Sequence, residues 1–205
     1  MKKSIFSVLV AMAVMASSCV SGLGSTGSTS TSSVLGSVLG SVLGNVLFGG
    51  MSLTQSNLVG NWNYSAPSAA FTTEQAFAAA GGQTATSNIE ASLAPNYQAI
   101  GINKNNTSFN FEANNRFSAK VDGIPFSGTY TYNEQTGEIV LKSGSQSISG
   151  NVTKTATGIG LMFDANQMTA LLQKVCNVSN QTAVAAVANL AKSANGARVG
   201  FDLTR

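Results

Sequence analysis

The sequence predicts a mainly β fold: an antiparallel up-and-down barrel of about eight strands, with helical insertions. Three observations carry that prediction. From residue 58 onward most segments alternate apolar and polar side chains with a period of two, as a sheet with one buried face requires. Short turn sequences separate these segments within 107–163, leaving little chain for the crossovers of a β-sandwich. Two longer intervals, near 72–102 and 164–196, change to helical spacing. Closure of the sheet on itself removes the exposed edges that an open meander would leave.

The first strand follows a low-complexity region. Leu58, Gly60, Trp62 and Tyr64 fall on one face, and Trp62 is the only tryptophan of the chain. Phe109 and Phe111 then alternate with Ser108 and Asn110, and Phe117, Ala119 and Val121 with Ser118 and Lys120. Phe126, Gly128, Tyr130 and Tyr132 alternate with Ser127, Thr129 and Thr131. Ile139 and Leu141 follow, then Ile148, Gly150 and Val152, then Ile159, Leu161 and Phe163. Val199, Phe201 and Leu203 close the chain. Asn114-Asn115 and Asp122-Gly123 are hairpin signals, and 133–137, 143–146 and 155–158 read as slightly longer turns.

The first insertion begins with a capping pattern at Thr72 and Gln75 and has a second at Ser87 and Glu90. Gly81-Gly82 separates its two helices. Ile89, Leu93, Tyr97 and Ile100 keep helical spacing, while Pro95 is expected to kink or shorten the second helix. In the second insertion, Asp164 and Gln167 start a helix with Met168, Leu171, Leu172 and Val175 on one face. Ser179 or Asn180 starts another, with Val184, Val187, Ala188 and Ala191 facing inward and Gly196 ending it.

The N-terminus reads as an address. Met1, Lys2, Lys3 and Ser4 form a basic start, and residues 5–15 an apolar stretch too short to span a bilayer comfortably. Residues 1–18 are therefore expected to be a signal peptide. Small residues directly before Cys19 resemble a bacterial lipobox, which implies acyl chains on Cys19 and attachment to a membrane. No aspartate or acidic run follows Cys19. By the same resemblance this implies an outer-membrane lipoprotein facing the periplasm. Residues 19–57 read as a tether. Its Gly22, Gly24 and Gly27 match a dinucleotide fingerprint in spacing only, without the strand and helix that motif needs. Val, Leu and Gly then recur every four residues, at Val34, Val38, Val42 and Val46 among others, which suits a short helix over 34–48 or a linker.

Composition excludes several functions. The chain has 11 basic and 8 acidic residues; without Lys2 and Lys3 the balance is 9 to 8. The cations are scattered, so no nucleic-acid-binding face is expected. There is no histidine, which removes His-dependent triads and His-ligated metals. With Cys19 committed, Cys176 has no intrachain partner, so no disulfide scaffold is expected, and Cys176 reads as a buried thiol. No nucleophile elbow, phosphate loop, cofactor motif or metal motif is present, and the chain is read as a non-enzyme. Glu112 with Glu138 or Asp164 is the one carboxylate arrangement weighed for glycoside hydrolysis, and solubilising roles suit them better.

Gly60-Asn61-Trp62, at the start of the first of about eight strands, resembles the Gly-x-Trp signature of lipocalin-like barrels. In that superfamily the Trp packs across the barrel floor and an Arg from the last strand lies over it. The resemblance implies that role for Gly60, Trp62 and Arg205, with Arg198 as second choice. The lipobox, the Leu58-Val59-Gly60-Asn61-Trp62 opening and the helical insertions before the second and last strands also resemble a family of lipocalin-like lipoproteins of Gram-negative gut anaerobes, which has no activity to carry over. Two functions fit. One is envelope assembly or maintenance through contacts with protein or cell-wall polymer. The alternative is a carrier or sensor holding a small apolar ligand or acyl chain among Tyr64, Phe109, Phe117, Tyr130 and Phe163.

Overall fold

The computed structural model describes residues 53–175, 181–193 and 196–205. Eight strands close into an antiparallel barrel in chain order. They are β1 (Gly60–Phe71), β2 (Ser108–Phe111), β3 (Arg116–Val121), β4 (Ile124–Tyr132), β5 (Glu138–Ser143), β6 (Gln146–Lys154), β7 (Gly158–Phe163) and β8 (Ala197–Thr204). The helices are α1 (Gln55–Leu58), α2 (Glu74–Ala80), α3 (Gln83–Ile100), α4 (Ala165–Val175) and α5 (Gln181–Ser193). The antiparallel barrel with helical insertions is thus the fold the chain adopts. The alternation that predicted it is plainest in β3, where Phe117, Ala119 and Val121 are buried and Arg116, Ser118 and Lys120 are exposed. Tight turns place Asn115 and Asp122 at positive φ, 62° and 51°, a conformation that asparagine and aspartate tolerate.

The two ends of the barrel differ. Because adjacent strands alternate in direction, β1 and β7 finish at the end where β2 and β8 begin. Both insertions therefore emerge at one end. There α3 packs on α5 and α5 on α4, and the apolar faces of these helices join the barrel core through Leu93, Tyr97, Leu171, Val175 and Val187. Asp164 caps α4, its carboxylate accepting the backbone N–H of Asn166 and Gln167, each at 2.9 Å. At the opposite end α1 lies against two turns. The Gln55 N–H donates to Glu134 Oε1 and the Gln55 amide to Asn115 Oδ1, both at 2.6 Å.

Several expectations are corrected. Leu58 ends α1 and is not part of the first strand, and Gly60 begins β1. Leu53 is buried and its carbonyl accepts the Tyr132 hydroxyl at 2.8 Å, so residues 53–57, expected in the tether, pack with the barrel. Thr73, not Thr72, caps α2, its hydroxyl accepting the Ala76 N–H at 3.1 Å. Ser87 caps nothing, because α3 already starts at Gln83. Pro95 lies inside an unbroken 18-residue helix. It sits on the solvent face, where the carbonyl it leaves unpaired meets water. One residue on, the Asn96 amide donates to the Ser92 carbonyl at 2.8 Å and ties the same turn.

β1 is longer than its sequence suggested. β2 covers it only over Gly60–Asn63, and its register against β8 shifts between Tyr64 and Ala66. The remaining edge is managed in two ways. Pro67 has no N–H to leave unpaired, and α3 brings Glu90 to accept the Ala69 N–H at 3.1 Å. The readings made for Cys19, the 22–27 glycines, the 34–48 repeat, Cys176 and the 179–180 helix start lie outside the described residues.

Candidate functional site

At the floor, Gly60 and Trp62 from the start of β1 meet Arg205, which follows β8. The indole of Trp62 is buried and donates from Nε1 to the Leu58 carbonyl at 2.8 Å. The Arg205 guanidinium lies over the same ring, 4.5 Å from its centroid, within the range of a cation–π contact. One guanidinium nitrogen also donates to the carbonyls of Asn57 and Val59, at 2.8 and 2.9 Å. Gly60 lies beside this guanidinium and is fixed as glycine by its φ of +139°; an added Cβ would stand at ordinary contact distance, 3.4 Å from Arg205 Nη2. Arg198 is elsewhere, near the opposite end of β8, in a shallow polar cleft shared with Glu138 and Asp164. Glu112 is not in that cleft; its backbone carbonyl accepts the Tyr130 hydroxyl at 3.0 Å. The Asp164 carboxylate is already committed to the α4 cap.

The five ring residues considered as ligand lining all face the interior. Tyr64, Phe109, Phe117, Tyr130 and Phe163 are between 0 and 8% exposed. The space among them is occupied by side chains. Phe201 sits at the centre, with ring centroids of Tyr64, Tyr97, Phe109 and Phe163 between 5.6 and 6.4 Å away. Phe111 packs edge-on against Tyr130, and Phe117 against Phe126. Tyr97 enters this stack from α3, and its hydroxyl donates to the Gly200 carbonyl at 3.1 Å. Burial raises the pKa of Tyr97 well above the ordinary tyrosine value and that of Tyr64 to about 12.

The outer surface carries the open spaces. A groove of about 950 Å³ runs between α2, α3 and α5 at the helical end. Ala76, Ala80 and Ala85 form its walls, Phe71, Ile89 and Leu190 contribute apolar surface, and among the described residues no charged side chain lines it. A smaller cleft of about 310 Å³ lies under α3, against the outer wall of the barrel, and includes Ser68, Glu90, Thr153 and Lys154. Burial raises the Glu90 pKa; the Ala69 N–H partly offsets this and the Asp202 charge adds to it. The Asp202 carboxyl is likewise raised by burial, against hydrogen bonds from Thr155 and the Leu203 backbone. Neither space was legible in the sequence. Their residues come from elements far apart in sequence, the groove from α2, α3 and α5 and the smaller cleft from β1, α3, β6 and β7, and only the fold brings these together.

No curated protein and no solved structure matches the chain. A family described as Lipocalin-like domain (DUF4923) matches residues 36–205. The matched span takes in the whole barrel, both insertions and most of the Val/Leu/Gly repeat. With Gly60, Trp62 and Arg205 together at the floor of a closed eight-stranded barrel, the chain belongs to this family of lipocalin-like domains.

Proposed function

We propose that the chain is a membrane-anchored binding lipoprotein of the cell envelope, held at the outer membrane by acyl chains on Cys19 and facing the periplasm. It serves envelope assembly or maintenance through protein contacts made on its outer surface. The observation that carries this reading is the position of the 950 Å³ groove. The groove lies at the helical end, whereas the tether enters at the floor, beside Leu53. A partner docking in the groove is thereby kept clear of the anchored end. Its uncharged, alanine-rich walls suit an apolar, uncharged stretch of a protein partner, because no charge on either side is stripped of water. An internal carrier would instead require the Phe201 ring cluster to part.

Site-specific photo-crosslinking in cells tests this. A crosslinker at Ala80 is expected to give a reproducible protein adduct, and one at Asn110 on the far barrel wall is not. Equal adducts, or none from Ala80, would reject the groove as the docking site. Anchoring is tested separately: Cys19→Ser should abolish acyl labelling and release the protein from the membrane fraction, and retention of either property would reject the lipoprotein reading.

A further inference from the structure

The groove between α2, α3 and α5 leaves Ile89 and Leu190 half-buried beside walls of alanine. Apolar surface left open in this way marks a docking place. The chain carries a segment of matching chemistry. No charged residue lies between Lys3 and Glu74, and within that interval Val and Leu recur as a pair at 34–35, 38–39, 42–43 and 46–47. Gly36, Gly40 and Gly44 follow the first three pairs, and glycine lets a backbone come close to walls as small as Ala76, Ala80 and Ala85. Burying the repeat in the groove strips no charge of water on either side. The family match begins inside this repeat, at residue 36, and not at the barrel. The repeat is therefore part of the matched unit, although it lies outside the described residues.

Chain length decides whose repeat can lie there. Leu53 is packed at the floor, its carbonyl accepting the Tyr132 hydroxyl. Phe48 precedes it by five residues, at most about 18 Å of chain. β1 has 12 residues and climbs about 36 Å from the floor to Phe71, which lines the groove. The end of the repeat thus falls short of its own groove by about half that distance. A second copy has no such limit. With both copies anchored through Cys19, the chain from Cys19 to Val34 reaches up to about 50 Å, more than the length of β1.

We propose that the groove receives the Val/Leu/Gly repeat, residues 34–48, of a second copy of this chain. This rests on the reading of the groove as a protein-docking site and names its partner. The repeat leaves one copy at the floor and enters the next at the helical end. The contact is therefore head-to-tail, and each copy offers both halves of it.

The test uses two differently tagged full chains expressed in the same cells. A photo-crosslinker at Ala80 of the first is expected to give an adduct carrying the second tag, and one at Leu39 of the second an adduct carrying the first. Leu39→Asp with Leu43→Asp in the second copy is expected to lower the Ala80 adduct about tenfold or more, because unpaired charge would enter the groove. Ala85→Asp in the first copy should lower the Leu39 adduct by a similar factor, and it tests the contact from the groove side if the repeat variant does not accumulate. The inference is overturned, with the docking reading intact, if the Ala80 adducts carry only a different protein or if neither substitution changes the two-tag adducts. A crosslink confined to one chain also overturns it, since the groove would then hold the chain's own repeat. Absence of any adduct from Ala80 removes the docking reading and this inference together.

Discussion

The Arg205 guanidinium stands 4.5 Å over the Trp62 ring and simultaneously donates to the carbonyls of Asn57 and Val59. One side chain thus fastens α1, the start of β1 and the end of β8. Trp62→Ala removes the large buried ring of that clasp and is expected to cost about 3–5 kcal/mol, read as a fall in the denaturant midpoint. Arg205→Ala leaves the ring and loses the contact over it together with two exposed hydrogen bonds, at about 1–2 kcal/mol. An unchanged midpoint in Trp62→Ala would remove the floor role.

Gly60 lies between them with φ of +139°, in a region open to glycine and strained for other residues. Gly60→Ala is expected to destabilise by about 1–3 kcal/mol even though its methyl is small, through the backbone conformation alone, because the methyl would meet the guanidinium at ordinary contact distance. Combining it with Arg205→Ala should give close to the sum of the two. A double-variant midpoint well short of that sum would show that the methyl crowds the guanidinium.

The raised carboxyls of Glu90 and Asp202 give a pH dependence of definite sign. Each holds its proton more tightly folded than unfolded. Their contribution to stability is therefore complete below the ordinary carboxylate range and is lost as pH rises through their raised values. Equilibrium denaturation is expected to show this part of the stability falling as pH rises above the ordinary carboxylate range. Glu90→Gln with Asp202→Asn should flatten that slope while sparing an acceptor for the Ala69 N–H. A slope unaltered by the pair would contradict the assignment.

All four tyrosines, Tyr64, Tyr97, Tyr130 and Tyr132, are raised by burial, Tyr64 and Tyr132 to about 12. Stability carried by their neutral hydroxyls is intact below about pH 10 and lost as pH climbs through the raised values. Ultraviolet titration should show little phenolate formation near pH 10 in the folded protein and a steep rise coincident with unfolding. A smooth titration near the ordinary value, with the fold intact, would be inconsistent with these burials.

The barrel was legible because alternation survives wherever one sheet face is wet. Phe117, Ala119 and Val121 could be placed from sequence for that reason, and Gly60 with Trp62 marked the start of β1. The far half of β1 was not legible. Residues 65–70 contain small side chains and Pro67, and they form a strand only because β8 lies on one side and α3 covers the other. Pro95 misled for a related reason: a proline predicts a break only if its lost bond cannot be made good at the surface. Ser68, Thr153 and Glu90 carry no sequence signal at all. What makes them neighbours is the pairing of β6, β7, β8 and β1 beneath a helix, which is a property of the closed ring.

The clasp at the floor also determines where mechanical load enters the molecule. A pull on the chain upstream of Leu53 is delivered first to the Tyr132 hydroxyl, the Gln55 contacts and the Arg205 bonds. The helical end lies at the far end of β1 from these contacts. Tension on the chain before Leu53 therefore reaches the floor contacts before the helical end.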